Sequence, residues 1–139
     1  MSELAVNPQS VIHLARECLG TPFVHQGRIP GKALDCAGVL VYIFNGLGLP
    51  YSDEIGYPRR PYKGQLEAGL ARQPHLKRVA VTELQPGDIV LFRVKAAPQH
   101  IGVYTGATLI HAAFDPGRVV EQRFASWAGN LTHAYRVVL

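Results

Sequence analysis

Hydrophobic residues in the first part of the chain recur at helical spacing. Leu14 and Ala15 follow Val11 by three and four residues, which puts them on the same face of a helix as Val11. Asn7 precedes a proline and is a typical N-cap residue. The pattern therefore predicts a helix over residues 8–19 with one buried face.

A second helix is predicted from the apolar run over residues 39–44. The run follows a segment rich in glycine and proline, residues 21–34, which we interpret as an ordered loop. It is followed by Gly46 and Gly48, and glycine commonly stands just after the last turn of a helix. Cys36 is thus predicted to lie in the first turn of this helix.

The second part of the chain changes to β-branched runs separated by turns. A short helix is predicted over residues 65–72, before the change. Strands are predicted over residues 89–94, 101–104, 108–112, 119–123 and 134–139, with a turn or single helical turn over 124–129. Because helices precede strands instead of alternating with them, we expect an α+β fold. Its N-terminal helices would pack on one face of an antiparallel sheet of five or six strands.

Length and composition predict one globular domain over residues 1–139. Apolar residues make up 47% of the chain and charged residues 17%, with no internal repeat. No membrane span is expected, because the longest apolar run is far shorter than the roughly 20 residues that a span needs. The first residues lack the pattern of a signal peptide, so we expect synthesis in the cytoplasm without one.

The net charge of +4 favours encounters with polyanions, among them nucleic acid, phospholipid and anionic wall polymers. Basic residues form one cluster, residues 59–63, which also contains a proline. Proline argues against a helix that reads a nucleic-acid groove. Nucleic acid is therefore not expected as a partner.

Cys36 carries the strongest chemical signal in the chain. A thiol at a helix N-terminus meets the positive end of the helix dipole, which favours the nucleophilic thiolate. We therefore expect an activated thiol there. Cys18 continues the buried face of the first helix and is predicted to be a core residue. Both are expected to be free thiols, because disulfides are rare in a reducing compartment.

His100 and His111 lie on two predicted strands joined by a tight turn. A two-residue loop at 105–106 would put the two side chains directly opposite each other, and one at 106–107 would make them diagonal neighbours on the same face. A three-residue loop would put them on opposite faces. Gly102 lies on the shared face, where the missing side chain leaves room for another backbone, such as the Cys36 helix, or for a ligand.

Cys36, His100 and His111 together predict a thiol hydrolase. The Cys36 thiolate would attack a carbonyl, His100 would protonate the leaving amine, and His111 would orient His100. The competing chemistry is a zinc site on the same three side chains. That site lacks a fourth ligand at a diagnostic spacing, so neither a metal nor another cofactor is expected.

Five segments in this order resemble one known family. They are GTPF at 20–23, LDCAGVLV at 34–41, LQPGDIVLF at 84–92, HIGVYTG at 100–106 and LIHA at 109–112. Together they resemble the NlpC-type papain-like cell-wall cysteine peptidases. The resemblance implies a papain-like fold and an endopeptidase that hydrolyses peptidoglycan stem peptides, typically between a D-glutamyl residue and a diamino acid. It implies Cys36, His100 and His111 as catalytic residues.

The loop FVHQGR at 23–28, followed by Pro30 and Gly31, is similar to a branch carried by phages and prophages. This resemblance implies phage tail proteins as partners, and the virion tail or the cell wall as the place of action after delivery. Two alternatives stay open. One is a non-catalytic tail-tip or wall-binding component on the same fold. The other is a different thiol acyl-transfer enzyme, such as an amidase.

Two residues depart from the pattern of the family. Phe23 stands where many relatives have a tyrosine whose hydroxyl helps to stabilise the oxyanion, and phenylalanine has no hydrogen to donate. Ala37 stands where many relatives have serine. We therefore expect the Cys36 backbone N–H and a side-chain donor from His25 or Gln26 to form the oxyanion hole.

The remaining candidates for contact with substrate come from position alone. They are Asp35, which precedes the nucleophile, and Gly102, in addition to Phe23 and Ala37.

Overall fold

The structure is a computed structural model that describes residues 5–53, 65–93 and 99–139. Its helices are α1 (Pro8–Glu17), α2 (Cys36–Leu47) and α3 (Gln65–Ala71). Its strands are β1 (Arg28–Ile29), β2 (Ala33–Leu34), β3 (Leu76–Val79), β4 (Ile89–Arg93), β5 (Gln99–Tyr104), β6 (Thr108–Ala113), β7 (Arg118–Arg123) and β8 (Leu131–Val137). The basic cluster at 59–63 lies outside the described residues. That the whole of 1–139 forms one domain stays a prediction.

The ends of α1 and α2 are set by local signals. Asn7 caps α1, since its side chain accepts a hydrogen bond from the Ser10 N–H at 2.8 Å. Asp35 caps α2 in the same way, accepting from the Gly38 N–H at 2.9 Å. Gly48 ends α2 in the left-handed conformation, with φ at 70°. The predicted position of Cys36 in the first turn of α2 is confirmed.

Six strands form one antiparallel sheet in the order β3-β8-β4-β5-β6-β7. This confirms the predicted number and the predicted order of helices before strands. The edge strand β3 was not predicted, because its sequence LKRV is half charged and lacks an apolar face. Between β7 and β8 lie two short 3₁₀ turns, Phe124–Ser126 and Ala128–Asn130, as the pattern over 124–129 predicted.

The loop predicted over residues 21–34 contains a small hairpin, β1 and β2, in which Arg28 pairs with Leu34. Its strands are two residues long, too short to leave a periodic signal. Gly27 lies against this hairpin so closely that a Cβ there would come within 2.6 Å of the Ala33 backbone. The hairpin therefore packs backbone to backbone beside the start of α2.

The sheet buries two apolar layers. One layer joins the sheet to all three helices, and the other lies on the opposite face under the 3₁₀ turns. The helix-side layer includes Leu14, Leu40, Ile43, Leu70, Leu91, Ile101, Val103 and Ile110. The opposite layer is formed by Val90, Phe92, Leu109 and Ala134, with Phe124 and Trp127 packed against it. The prediction that the helices cover one face is confirmed.

Cys18 is fully buried among the helix-side residues, as predicted. Its thiol donates to the Leu14 carbonyl at 3.7 Å. Cys18 and Cys36 are both free thiols. Among the described residues, no helix has the length and hydropathy that crossing a membrane requires.

Candidate active site

The Cys36 sulfur lies at the junction of α2 and β5. Cys36 is the first residue of α2 and is partly buried. The backbone N–H groups of Ile101 and Ala37 point at its sulfur and favour the thiolate. Because Ile101 directly follows His100, the helix brings the thiol to the strand that carries the first histidine.

The predicted lowering of the Cys36 pKa by the helix dipole is wrong for the free protein. Burial raises the pKa of the Cys36 thiol to about 12, and the negative charge of Asp35 raises it further. The N–H groups that point at the sulfur and the nearby Arg28 act in the opposite direction but are outweighed. Asp35 caps the helix that was expected to activate the thiol, so its carboxylate offsets the positive end of the dipole.

The turn between β5 and β6 decides the register of the two histidines. Thr105 and Thr108 close a two-residue loop at 106–107, with the Thr105 N–H donating to the Thr108 carbonyl at 3.0 Å. Gly106 takes a φ of 105°, which suits glycine. Val103 pairs with Ile110, so the two histidines are diagonal neighbours. Of the predicted alternatives, the loop at 106–107 is correct.

The two imidazoles are hydrogen-bonded to each other. His100 Nε2 lies 3.0 Å from His111 Nδ1, and the ring planes are close to perpendicular. Both rings pack against the Phe92 ring on the layer away from the helices, with centroids 5.0 Å and 5.7 Å from it. His100 is 9% exposed and His111 is 2% exposed, so neither ring rotates freely.

Both histidines are held in the neutral form. Burial, followed by the nearby His111, lowers the pKa of His100 to about 3, although the Ala112 carbonyl favours the protonated ring. Burial also lowers the pKa of His111, and its hydrogen bond with Gln122 opposes that effect. The Cys36 thiol and both imidazoles are therefore held uncharged in the resting protein.

Proton transfer from Cys36 to His100 stays a prediction from the sequence, and burial means that both groups would have to ionise together. An isolated thiolate and an isolated imidazolium are each disfavoured by burial, but opposite charges on neighbouring groups stabilise each other. A proton passing from sulfur to imidazole creates both ions at once, so their titration belongs to the pair. Such a pair is suited to attack on a carbonyl and to proton donation to a leaving group.

Gln122 and Trp127 extend the hydrogen-bond chain beyond His111. His111 Nε2 lies 2.7 Å from Gln122 Oε1, and Trp127 Nε1 donates to the same oxygen at 3.1 Å. Sequence reasoning missed both residues. The only signal was register: Gln122 pairs with Leu109 and so lies on the same face as His111, which could be read only once the β6–β7 pairing was known.

Asp35 has a structural role beside Cys36, and its predicted contact with substrate stays a prediction. Its second carboxylate oxygen accepts from the Gln26 N–H at 2.9 Å. Arg28 donates to Asp35 at 2.9 Å and reaches Asp53 through a second ion pair at 3.0 Å. Arg28, which sequence reasoning missed, thus links the β1–β2 hairpin to the start of α2 and to the segment that contains Asp53.

His25 and Gln26 lie in a tight turn in which the Gly27 N–H donates to the Val24 carbonyl at 2.8 Å. Gln26 has a φ of 61°, an uncommon value for a residue other than glycine. Because the Gln26 N–H is bonded to Asp35, this turn is anchored directly to the residue before the nucleophile. Their predicted role as oxyanion donors stays a prediction.

Phe23 packs on an aromatic neighbour near the site. Its ring centroid lies 4.5 Å from that of Phe114, which is 58% exposed. Ala37 is buried and contributes its N–H toward the Cys36 sulfur. Phe23 thus presents a hydrocarbon surface, while the backbone of Ala37 faces the nucleophile.

Gly102 does not leave room for the Cys36 helix, and that expectation was wrong. A Cβ on Gly102 would lie 2.6 Å from Leu109 Cδ1 and 3.2 Å from the Ile110 carbonyl oxygen. The space is filled by the adjacent strand β6. Gly102 thus permits close packing of β5 on β6 and does not open a pocket beside the thiol.

Tyr51 is a further residue that sequence reasoning missed. Its ring packs on Phe44 of α2, with centroids 5.0 Å apart. Its pKa is raised, first by burial and then by the Cys36 and Asp53 charges, so the phenol lies within electrostatic range of the nucleophile. Its hydroxyl forms no hydrogen bond with another described residue.

The segment that carries Tyr51 is held firmly. The buried Gln73 side chain accepts from the Ser52 N–H at 2.8 Å and donates to the Ser52 carbonyl at 3.0 Å. The neighbouring Asp53 is held by Arg28. The two residues that follow Tyr51 are therefore both held by side chains from other parts of the chain.

The geometry of the histidines argues against the zinc alternative. Both ring nitrogens of His111 are engaged in hydrogen bonds, one to His100 and one to Gln122, which leaves no lone pair for a metal. In the described parts of the chain, no three or more side chains of the types that bind metals converge on one point.

Comparison with protein families and curated proteins gives one consistent result. A family model described as the NlpC/P60 family matches residues 20–136. A gamma-DL-glutamyl hydrolase of Bacillus subtilis is 31% identical over 102 residues, 70% of this chain and 21% of that protein. A murein DD-endopeptidase/murein LD-carboxypeptidase, MepS, of Escherichia coli is 30% identical over 112 residues, 77% of this chain and 51% of that protein. The chain spans about a fifth of the length of the first of these relatives.

Solved structures share the fold. NlpC2 from Trichomonas vaginalis superimposes with a TM-score of 0.71 and 21% identity, over 96% of this chain and 48% of that one. The NlpC/p60 domain of the peptidoglycan hydrolase SagA gives a TM-score of 0.65 and 20% identity, over 96% of this chain and 100% of that domain. The predicted papain-like α+β architecture is confirmed by these similarities.

Proposed function

Since this chain belongs to the NlpC/P60 family, we propose that it is a cysteine endopeptidase that hydrolyses the stem peptides of bacterial peptidoglycan. Cys36 is the nucleophile in this proposal, His100 is the general acid and base, and His111 orients His100. The observation that carries the proposal is the hydrogen-bonded His100–His111 pair, on the strand whose Ile101 N–H points at the Cys36 sulfur.

The reaction begins with transfer of the thiol proton of Cys36 to His100, as sulfur attacks the carbonyl carbon of the peptide bond. His100, now an imidazolium, gives this proton to the leaving amine, and the acyl group stays on sulfur as a thioester. Water then attacks the thioester with His100 as base, and the Cys36 thiol and a new carboxylate are released. Each step moves one proton through His100, whose ring is buried and therefore restricted in rotation.

The scissile bond that we propose lies between a D-glutamyl residue and a diamino acid. Two kinds of support favour it: the family resemblance of the motifs, and the name of the gamma-DL-glutamyl hydrolase of Bacillus subtilis. The DD-endopeptidase and LD-carboxypeptidase names of the Escherichia coli relative point to other bonds of the same polymer. Analysis of the released products therefore decides which bond is cut.

The oxyanion hole that we propose uses the Cys36 backbone N–H and one side-chain donor. His25 and Gln26 are the donors expected from the sequence, and their turn is anchored to Asp35. Tyr51 is a third candidate, because its hydroxyl has no hydrogen-bond partner among the described residues and its pKa is raised by burial and then by the charge of Cys36. Phe23 has no hydrogen to donate, so it would line the site without taking part.

The experiment that tests this function is digestion of purified peptidoglycan, with the released fragments identified by mass. Wild-type protein should release fragments cut within the stem peptide, and Cys36→Ala should release none. Cys18→Ala is the matched control and should keep wild-type activity, because the Cys18 thiol is fully buried in the core and bonded to the Leu14 carbonyl. A cut between glycan and stem peptide would identify an amidase, and sedimentation with peptidoglycan without any cut would favour the wall-binding alternative.

Association with phage tail proteins, and action at the virion tail or the cell wall after delivery, belong to the same proposal. The support is the resemblance of the loop at 23–31 to the phage and prophage branch. Mass spectrometry of purified virions from the source strain tests it. Peptides of this chain at tail-protein stoichiometry would support the association, and their absence from virions would contradict it.

A further inference from the structure

We infer that Gln122, oriented by Trp127, is a positioning residue that sets the proton positions on both histidines and leaves Nδ1 of His100 as the base. The role of Gln122 in catalysis rests on the proposed function. It goes beyond a Cys-His-His triad, because it assigns the control of that triad to two residues outside it.

The proton positions follow from one donor. The indole N–H of Trp127 can only donate, so the Gln122 atom that it contacts at 3.1 Å must be the amide oxygen. That same oxygen lies 2.7 Å from His111 Nε2, and an oxygen without hydrogen can only accept. His111 must therefore carry its proton on Nε2.

The proton position on His100 follows from that on His111. With its proton on Nε2, neutral His111 presents an unprotonated Nδ1, which can only accept. His100 Nε2 lies 3.0 Å from that atom, so it must donate and carries the proton. Nδ1 of His100 is then the unprotonated nitrogen, which is the state that a base for the Cys36 thiol requires.

Trp127 is itself held in place. Its backbone N–H donates to the Phe124 carbonyl at 2.8 Å, at the end of the first 3₁₀ turn after β7. Its ring lies 5.2 Å from both the Phe92 ring and the His111 ring, centroid to centroid. The indole therefore both closes the apolar layer over the histidines and points its donor at Gln122.

Without the Gln122 oxygen, His111 loses the partner that selects its tautomer. A proton on Nδ1 of His111 would then face Nε2 of His100, which would have to accept, and His100 would move its own proton to Nδ1. That tautomer of His100 cannot take the Cys36 proton. Catalysis should fall although all three triad residues are present, because only part of the molecules have the competent tautomers.

The test combines nitrogen-15 NMR of the histidine side chains with turnover of peptidoglycan fragments. In wild-type protein at pH 7, both His100 and His111 should show the Nε2–H tautomer. Gln122→Leu should give a tautomer mixture at His111 and lower kcat by about 10- to 100-fold, with KM within about threefold.

Gln122→Glu should keep the Nε2–H tautomer and raise the pH of the acid limb of the activity profile, because a carboxylate favours the imidazolium. Gln9→Leu, on an exposed position of α1, is the matched control and should change nothing.

Trp127→Phe gives an independent route if Gln122→Leu does not fold. This variant keeps an aromatic ring and removes the N–H, so the Gln122 amide is free to flip and the same tautomer mixture should appear. An Nδ1–H tautomer of His111 in wild-type protein, or unchanged tautomers and kcat in both variants, would overturn the inference. The NMR result does not need substrate, so it separates failure of this inference from failure of the proposed function.

Discussion

Cys36 and His100 are each held uncharged by the residues around them. Burial moves the pKa of the thiol up to about 12 and that of the imidazole down to about 3. Single-residue rules about helix dipoles did not anticipate this, because they omit the capping Asp35 carboxylate and the apolar layer around Phe92. The positions of Cys36 and His100 in their elements could be predicted from the sequence, but their protonation states depend on neighbours that the fold brings together.

The oxyanion donor is tested by single substitutions. Tyr51→Phe removes one hydroxyl and leaves the packing on Phe44 intact, so a catalytic role predicts a fall in kcat of about 10²- to 10³-fold with unchanged stability. Gln26→Ala and His25→Ala should be compared under the same conditions, with kcat and thermal unfolding measured for each. The variant with the large loss identifies the donor, and near wild-type kcat in all three would rule out a side-chain donor from this set.

At the scale of elements, helix caps and turn residues predicted the features of the fold that depend on short-range contacts. The caps of α1 and α2 and the glycine turn between β5 and β6 are short-range features. The place of Cys36 could therefore be predicted, and a shared face for the two histidines was among the predicted alternatives. The contribution of β7 could not, because Gln122 reaches His111 only through the register of β6 with β7. The two-residue strands of the hairpin at 28–34 left no periodic signal.

The close approach of the hairpin to α2 gives a prediction at this scale. A Cβ on Gly38 would collide with the Gly27 carbonyl oxygen, so Gly38→Ala should lower stability by about 1 to 3 kcal/mol and reduce activity by displacing the start of α2. Gly69→Ala is the matched helical control, since its Cβ has space. It should raise stability by about 0.5 to 1 kcal/mol. Urea unfolding measures both variants, and equal effects would contradict the packing described here.

For the whole molecule, the neutral histidines make folding sensitive to acid. Between pH 6.5 and pH 5, His100 takes up a proton in the unfolded chain but not in the folded one, because its folded pKa is lowered to about 3. Stability should therefore fall as the pH falls, by about 1.5 kcal/mol across this interval from His100 alone.

His100→Gln should reduce the slope of stability against pH, whatever its effect on stability at neutral pH. Urea unfolding at pH 6.5 and pH 5.0 gives the slope for wild type and variant. Gln9→Leu is the control, because Gln9 is an exposed residue of α1 that does not titrate, and the slope should stay close to that of wild type. Parallel slopes for wild type and His100→Gln would show that His100 is not held neutral by the fold.

The most direct test of a thiol hydrolase at this site is the rate of iodoacetamide alkylation of Cys36 at pH 7, in wild type and in His100→Gln. Alkylation follows the thiolate, and we predict that Cys36 loses its reactive form when the acceptor for its proton is removed. The rate should fall about tenfold or more in the variant, while the buried Cys18 stays slow in both proteins. Equal rates at Cys36 in the two proteins would contradict a nucleophile that ionises with His100.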